Sequence, residues 1–322
     1  MNKINLQEEF VKALIEKIPQ RPKLTDTISN ILGIEKEPAG RRLNGRVQFS
    51  IYEMGLLAKE LDIYIDPILH KDLNYECMPL ILKSPSEIKS IESLWDVIES
   101  GLAEMREIIQ EPVKYNCVFN SLPLEFFVDY SYLMKFMFFK WGSRFIGSDE
   151  FNDFGHWVIP SKLTKLKDKL KSIISTFDSA LYIWDNSLIW NLVEELDYLH
   201  KMQIINAEDL SNIKNDLKDL LIQLEKYLQG TSSFDMLPNN LQLYISNVEI
   251  GVYCLYLFSE KKQYSTFSDH FIFPLPNNNN EGKIKIKKWI NSLKKISVLI
   301  SGCGGPERCL FFKKQHEIID KS

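Results

Sequence analysis

The sequence predicts a mainly α-helical protein: an N-terminal bundle of short helices, then a larger helical C-terminal domain with a small antiparallel β-sheet (α+β). Three observations predict this fold class. Apolar residues recur every three or four positions over most of the chain, as in amphipathic helices. After Pro238 the pattern changes to short apolar runs separated by turn residues, which is typical of strands. Between residues 71 and 85 no periodicity is visible, which indicates a linker.

Composition and charge limit the class of protein. The chain has 322 residues, of which 45% are hydrophobic and 25% charged, as in soluble globular proteins. A net charge of -4 argues against a protein that coats nucleic acid non-specifically, although a local basic surface would still suffice for specific binding.

The sequence predicts neither a membrane partner nor secretion. The most apolar window, residues 122–141, contains four charged side chains that would be costly in a bilayer, so we expect a buried helix there. The first ten residues lack an apolar core of signal-peptide length. The five cysteines form no CxxC pair, which suits reduced thiols and predicts a cytoplasmic protein.

Residues 1–70 predict a bundle of four or five helices. A first amphipathic helix covers about residues 6–18, and a second covers about residues 24–32. Gly33 follows where a tight turn needs positive φ, and a third helix begins near Lys36 and ends at Gly45.

A fourth helix has a clear start. Ser50 and Glu53 form the two ends of a capping box, and apolar residues then continue to Leu61. Residues 66–69 add a last helical turn.

The segment from about residue 10 to residue 69 resembles the lambda-repressor-like helix-turn-helix domains of bacterial transcription regulators. The matching residues are Ile28-Ser29, Leu32-Gly33-Ile34, Arg41 and Leu43-Asn44-Gly45, followed by the helix in FSIYEMGLLAKELDI. The resemblance covers about a fifth of the chain, and it implies that Glu35, Lys36, Glu37, Gly40, Arg41 and Asn44 occupy positions that contact DNA. The chain departs from the family in acidic Glu35 and Glu37, in Gly40, and in Ala39 and Arg42 where larger apolar residues are usual.

The third helix is the predicted reading element. Arg41 and Arg42 offer planar donor forks that suit guanine or phosphate, and Asn44 could read adenine. Lys36 and Arg46 are expected to contact phosphates. The alternative is that the two arginines are ordinary solvated charges. The full set of predicted DNA-binding residues is Lys36, Glu37, Gly40, Arg41, Arg42, Asn44 and Arg46.

The C-terminal domain is predicted over residues 86–322. Ser84 to Glu87 is a second capping signal, and a helix follows to about residue 110 with an apolar face close to a heptad seam. This face predicts either a core helix or a dimer helix. The other predicted elements are a strand at 113–119, helices at 122–141, 162–177, 187–202 and 207–228, the strands LQLYIS, VYCLYLF, QYSTF and HFIFPL, and helices at 283–300 and 306–319.

Other candidate chemistry is weaker. Cys303, Cys309 and His316 lack standard zinc spacing and a fourth ligand, and the 302–306 glycine-rich turn lacks the lysine of a P-loop. We therefore expect that the protein binds no metal and no cofactor and is not an enzyme. Two lysine-rich helices, 161–171 and 283–295, are explained by solvated faces or by additional phosphate contacts.

These observations predict a DNA-binding transcription regulator with an N-terminal helix-turn-helix and a C-terminal sensing or dimerisation domain. Its expected partners are double-stranded DNA, a second copy of the chain, and a small-molecule or protein effector. Aromatic residues of the C-terminal part, among them Tyr244, Tyr253 and Phe271, permit an effector pocket. The alternative is a protein-interaction module of helix-turn-helix shape that does not bind DNA, which an acidic surface formed by Glu35 and Glu37 would favour.

Overall fold

A computed structural model describes residues 5–61, 63–69, 88–109, 111–259, 263–268, 275–277 and 280–321. The chain divides into two compact units, residues 1–79 and residues 80–322. The predicted linker and the capping signal at residues 84–87 lie outside the described residues.

The first unit contains five helices among its described residues. They are α1 (Leu6–Lys17), α2 (Arg21–Leu32), α3 (Lys36–Leu43), α4 (Ile51–Leu61) and the short α5 (Asp66–Leu69). The predicted helices are confirmed, although α2 begins three residues earlier than expected. The reason is that Pro22 lies in its first turn, where a missing N–H breaks no helical hydrogen bond.

One small core holds the first unit together. α2 packs against α3 and α4, and α1 packs against α2, α4 and α5. Phe10 meets Phe49 edge to face with ring centroids 5.8 Å apart. The buried residues are Phe10, Leu14, Leu24, Ile28, Ala39, Leu43, Phe49, Met54, Leu57 and Ile68.

The second unit begins with α6 (Ile91–Ile108), β1 (Val113–Phe119), α7 (Leu124–Phe127), α8 (Ser131–Phe145), α9 (Leu166–Ile174), β2 (Phe177–Asp185), α10 (Leu188–Lys201) and α11 (Ala207–Leu228). It continues with β3 (Leu241–Ser246), β4 (Tyr253–Phe258), β5 (Gln263–Ser268), β6 (Leu275–Asn277), α12 (Asn280–Ile296), β7 (Val298–Leu299) and α13 (Gly305–Lys321).

The sheet of the second unit corrects the predicted fold class. Within the described residues, seven strands form one sheet in the order β6-β5-β4-β1-β2-β3-β7. β1, β2 and β3 are parallel, with Val118 beside Ile183 and Ile183 beside Tyr244, and the remaining pairs are antiparallel. The prediction of a mainly α protein with a small antiparallel sheet is therefore wrong: the domain is mixed α/β with a parallel core.

The missed strand β2 explains the error. The predicted helix at residues 162–177 ends at Ile174 instead, and Phe177 begins β2. Parallel neighbours need crossover connections, which α7 to α9 and α10 to α11 provide. A central strand covered on both faces shows a continuous apolar run, such as ALYIW in β2, instead of the alternation that marks a half-exposed strand.

The apolar window at residues 122–141 is two helices, not one. α7 ends at Phe127, and α8 starts at Ser131 because the Asp216 carboxylate of α11 accepts hydrogen bonds from the N–H groups of Tyr132 and Leu133, at 2.7 and 3.0 Å. Most of the apolar side chains of the window are buried, as predicted. Among the helices of the described residues, none combines the length and the apolar character that crossing a bilayer requires.

The apolar face of α6 packs into its own unit. Ile91, Leu94, Trp95, Ile98 and Leu102 are buried in the main core. The core-helix interpretation is confirmed, and this face is not exposed for a dimer seam. The helix starts at a capping box between Ser90 and Ser93.

Candidate nucleic-acid interface

The turn between α2 and α3 has the predicted geometry. Gly33 adopts φ 63° and ψ 32°, a left-handed conformation that glycine reaches without steric cost. The Ile34 N–H donates to the Ser29 carbonyl at 3.1 Å, and the Ser29 hydroxyl donates to the Ile34 carbonyl at 2.5 Å. Glu35 is extended, and α3 starts one residue later. The turn thus fixes where α3 begins.

Burial sorts the side chains of α3 into two faces. Ala39 and Leu43 point into the core, while Lys36, Glu37 and Arg41 are exposed. Gly40 is half-buried, and a carbon added at its Cβ position would meet no atom within 4 Å. A partner surface could therefore approach the helix backbone closely at Gly40.

Arg42 does not belong to the exposed face. Its side chain is only 18% exposed, and its Nη2 and Nε donate to the two carboxylate oxygens of Glu53 at 2.8 and 3.2 Å. Its Nη1 donates to the Pro38 carbonyl at 3.2 Å. Each of the three guanidinium nitrogens thus donates a hydrogen bond inside the unit, so Arg42 positions α3 and is not arranged to contact bases.

Glu53 also caps the start of α4. It accepts the Ser50 N–H at 2.8 Å, and its own N–H donates to the Ser50 hydroxyl at 3.2 Å, which confirms the predicted capping box. Burial raises the pKa of Glu53. The hydrogen bonds from Arg42 and Ser50 and the charge of Arg42 lower this pKa by a larger amount in total, so the net shift is downward.

Arg41 and Lys36 make only exposed ion pairs. Arg41 Nη2 lies 2.6 Å from Glu37 Oε1, and Lys36 Nζ lies 2.7 Å from Asp26 Oδ1. More than half of each side chain of these pairs is exposed. Such surface pairs contribute about 0–1 kcal/mol, so a phosphate could replace either carboxylate at little cost.

Asn44 is engaged by a residue that sequence reasoning missed. Arg21, at the start of α2, donates from Nη2 to Asn44 Oδ1 and to the Leu43 carbonyl. Reading adenine needs both the oxygen and the nitrogen of an asparagine amide, so Arg21 would have to be displaced first. No local pattern points to Arg21, because its partner lies 23 residues away in the sequence.

Gln7 is a second residue that sequence reasoning missed. Its amide nitrogen donates to the Arg42 carbonyl at 3.0 Å, and its amide oxygen accepts the Phe49 N–H at 3.0 Å. Gln7 thereby ties the end of α3 and the loop before α4 to α1.

Arg46 follows α3 through a second left-handed glycine. Gly45 has φ 70°, and the Arg46 N–H donates to the Arg41 carbonyl at 2.9 Å. The Arg46 side chain is exposed. This chain reversal holds Arg46 beside the C-terminal turn of α3. A residue that contacts DNA phosphate next to α3 would have to lie there.

The first unit has almost no net charge. Residues 1–79 carry 11 Lys and Arg and 12 Asp and Glu. Non-specific attraction to DNA depends on excess positive charge, so this unit has little of it. Any affinity of this unit for DNA must come from the placement of a few cations.

Asp197 and His200 lie one turn apart on α10, and each has a structural partner. Asp197 pairs with Lys214 at 3.5 Å, and His200 Nδ1 lies 2.8 Å from the Ile205 carbonyl. Cys303 and Cys309 are exposed free thiols, and no cluster of three or more metal-ligating side chains occurs in the described part of the chain.

The lysine-rich helix segment at residues 161–171 is tied to its own unit. Lys167, Lys169 and Lys171 form ion pairs with Asp129, Glu99 and Asp235 respectively. In the second segment, Lys287 lies over the Phe258 ring and Lys294 over the Tyr244 ring. These contacts favour the interpretation of solvated faces for both segments.

The candidate interface thus consists of exposed Lys36, Glu37, Arg41, Asn44 and Arg46 around Gly40, with Arg42 held inside. No protein-family model, no curated protein and no solved structure matches this chain.

Proposed function

We propose that this protein is a transcription regulator that binds double-stranded DNA through α2, the Gly33 turn and α3. The proposal is supported by the left-handed turn at Gly33 and by the short helix that follows it. A helix of this kind can enter the major groove, while the preceding helix crosses the backbone.

The proposal rests on one observation: the cations on α3 and just after it differ in their exposure. Arg42 is used inside the unit, whereas Lys36, Arg41 and Arg46 are exposed. Arg42 fixes α3 against α4, which gives the exposed cations a rigid support. Few cations in fixed positions suit selective binding better than non-specific binding.

The proposal includes a cytoplasmic homodimer. One helix of eight residues contacts few bases, and two half-sites one helical turn apart multiply selectivity. The second unit would supply the sensing or dimerisation function.

Selection of bound sequences from random duplex DNA with the full-length protein tests the proposal. We expect one enriched motif, and an Arg41→Ala plus Arg46→Ala variant should lose it. Each lost phosphate contact should also reduce the salt slope of log K by about 0.9. Lys59→Ala is the control, because Lys59 is also exposed but lies on α4.

No enrichment at low salt would overturn DNA binding. The exposed Glu35 and Glu37 and the nearly neutral first unit would then favour the second candidate, a protein-interaction module of the same shape. An enriched motif that survives the double variant would instead refute the assignment of Arg41 and Arg46.

A further inference from the structure

The second unit contains a mostly apolar cavity of about 90 Å³. The residues that line it belong to α6, α7, α9, β1, β2, β4 and β5. The apolar lining includes Ile98, Leu102, Leu170, Ile173 and Leu255.

A buried carboxyl group lies at the edge of this cavity. Glu125 on α7 is 6% exposed and lines the cavity. Its Oε1 accepts hydrogen bonds from the Tyr115 and Tyr182 hydroxyls at 3.0 and 2.8 Å. The backbone N–H of Glu125 itself also hydrogen-bonds to this carboxyl group. A carboxylate can accept about four hydrogen bonds, so these three described partners leave it able to accept one more.

The surroundings of Glu125 disfavour the ionised form of its carboxyl group. Burial raises the pKa of Glu125, even though hydrogen bonds from its own backbone N–H and from the hydroxyls of Tyr182 and Tyr115 lower it in part. Burial also raises the pKa values of Tyr115, Tyr182 and Cys117. Among the described residues that line the cavity, none is a lysine, an arginine or a histidine. This part of the lining offers no cation to Glu125.

Gly101 lies in the middle of α6 and lines the cavity. Glycine in a helix interior costs about 1 kcal/mol relative to alanine, so its presence there is unfavourable for the helix alone. A carbon added at its Cβ position would meet no atom within 4 Å. The absent side chain leaves space between α6 and the rest of the cavity wall.

The volume sets the size of an occupant. An apolar cavity of about 150 Å³ accepts benzene, which has six heavy atoms, so about 90 Å³ suits a smaller molecule of about three to five heavy atoms. We propose that this cavity binds a small, mostly apolar molecule bearing one hydroxyl group, which pairs with the carboxyl group of Glu125.

A hydroxyl group suits this site better than a charged group. It can accept a hydrogen bond from a protonated carboxyl group and can donate to an ionised one, so it pairs with Glu125 in either state. An ammonium or carboxylate group would have to leave water for an apolar cavity, which costs several kcal/mol per ion.

Binding of 1-butanol to the full-length protein tests the proposal, because butanol has five heavy atoms and one hydroxyl group. Ligand-observed NMR and the thermal midpoint of the tryptophan signal are measured together. We expect saturable binding, a raised midpoint, and weaker binding of butylamine and butyrate.

Two variants at Gly101 separate cavity binding from surface effects. Gly101→Leu places a side chain in the cavity and should reduce butanol affinity by at least about tenfold, whereas Gly101→Ala should stay folded and keep most of it. No saturable butanol binding by the unsubstituted protein would overturn the proposal, as would equal affinity in a folded Gly101→Leu variant. Tighter binding of butylamine than of butanol would overturn the choice of a hydroxyl group.

Discussion

Arg42 and Glu53 form a two-point ion pair that joins the end of α3 to the start of α4. Arg42 Nη2 lies 2.8 Å from Glu53 Oε1, and Arg42 Nε lies 3.2 Å from Oε2. Both side chains are more than four-fifths buried. The same carboxylate completes the capping box with Ser50, so one group fixes two helix ends at once.

Removing the guanidinium should destabilise the first unit. We expect Arg42→Ala to lower its free energy of unfolding by about 1–3 kcal/mol, because Glu53 and the Pro38 carbonyl lose their charged partner. Arg41→Ala is the matched control, since exposed substitutions change stability by about 0.5 kcal/mol or less.

Urea denaturation of the full-length protein can isolate this effect. All six tryptophans lie at residue 95 or later, so fluorescence reports the second unit alone, while circular dichroism reports the helices of both. Equal stability of the two arginine variants would contradict a structural role for Arg42.

The lowered pKa of Glu53 predicts acid sensitivity of the first unit. A carboxyl group whose pKa is lower in the folded state stabilises that state at pH above its unfolded pKa, about 4.3. This contribution is lost as the pH falls through the lower, folded pKa. Thermal unfolding followed by circular dichroism between about pH 6 and pH 3 should therefore show a smaller pH dependence in Glu53→Gln than in the unsubstituted protein. Identical slopes would show that Glu53 is not linked to folding.

Gln315 on α13 is a buried polar residue that destabilises the core of the second unit. Its side chain is fully buried, and neither its amide nitrogen nor its amide oxygen has a hydrogen-bond partner in the described residues. We expect Gln315→Met, which nearly conserves volume, to raise the free energy of unfolding by about 1–3 kcal/mol.

Tryptophan fluorescence in urea measures the effect of Gln315→Met, with exposed Lys314→Met as the control. A loss of stability in Gln315→Met would indicate that ordered water satisfies the amide.

Gly304 lies where no side chain fits. A Cβ added there would come within 2.2 Å of the Leu299 carbonyl oxygen, which is backbone and cannot move aside. We expect Gly304→Ala to destabilise the second unit by more than about 1 kcal/mol, which is within the range of strain-related substitutions. Gly55→Ala is the control, because the Cβ position of Gly55 on α4 is open. A Gly304→Ala protein with an unchanged tryptophan transition would refute the close approach.

Local signals predicted the local structure well. The Asn206 side chain caps α11, where it accepts the N–H of Asp209, three residues later, at 2.8 Å. The positive φ of Gly33 and the Ser50–Glu53 capping box followed from residue types at short spacing. In each case the interacting groups lie within a few residues, so sequence spacing alone brings them together.

Non-local pairing could not be predicted in the same way. β1 pairs with β2 and with β4, whose partner residues lie more than 60 and 130 positions away in the sequence. Parallel and antiparallel strands have similar local patterns when both faces are buried, so the strand direction in this sheet was not visible.

The sequence by itself determined the helices of the first unit, the left-handed turn before α3, and the choice of Arg41, Lys36 and Arg46 as candidate contacts. Only the tertiary structure decided that Arg42 faces Glu53, that Asn44 is held by Arg21, and that the second unit has a parallel core. The physical reason is the range of the interactions. Backbone conformation and helix capping act over a few residues, whereas the partner of an arginine or a buried strand is chosen by packing between distant segments.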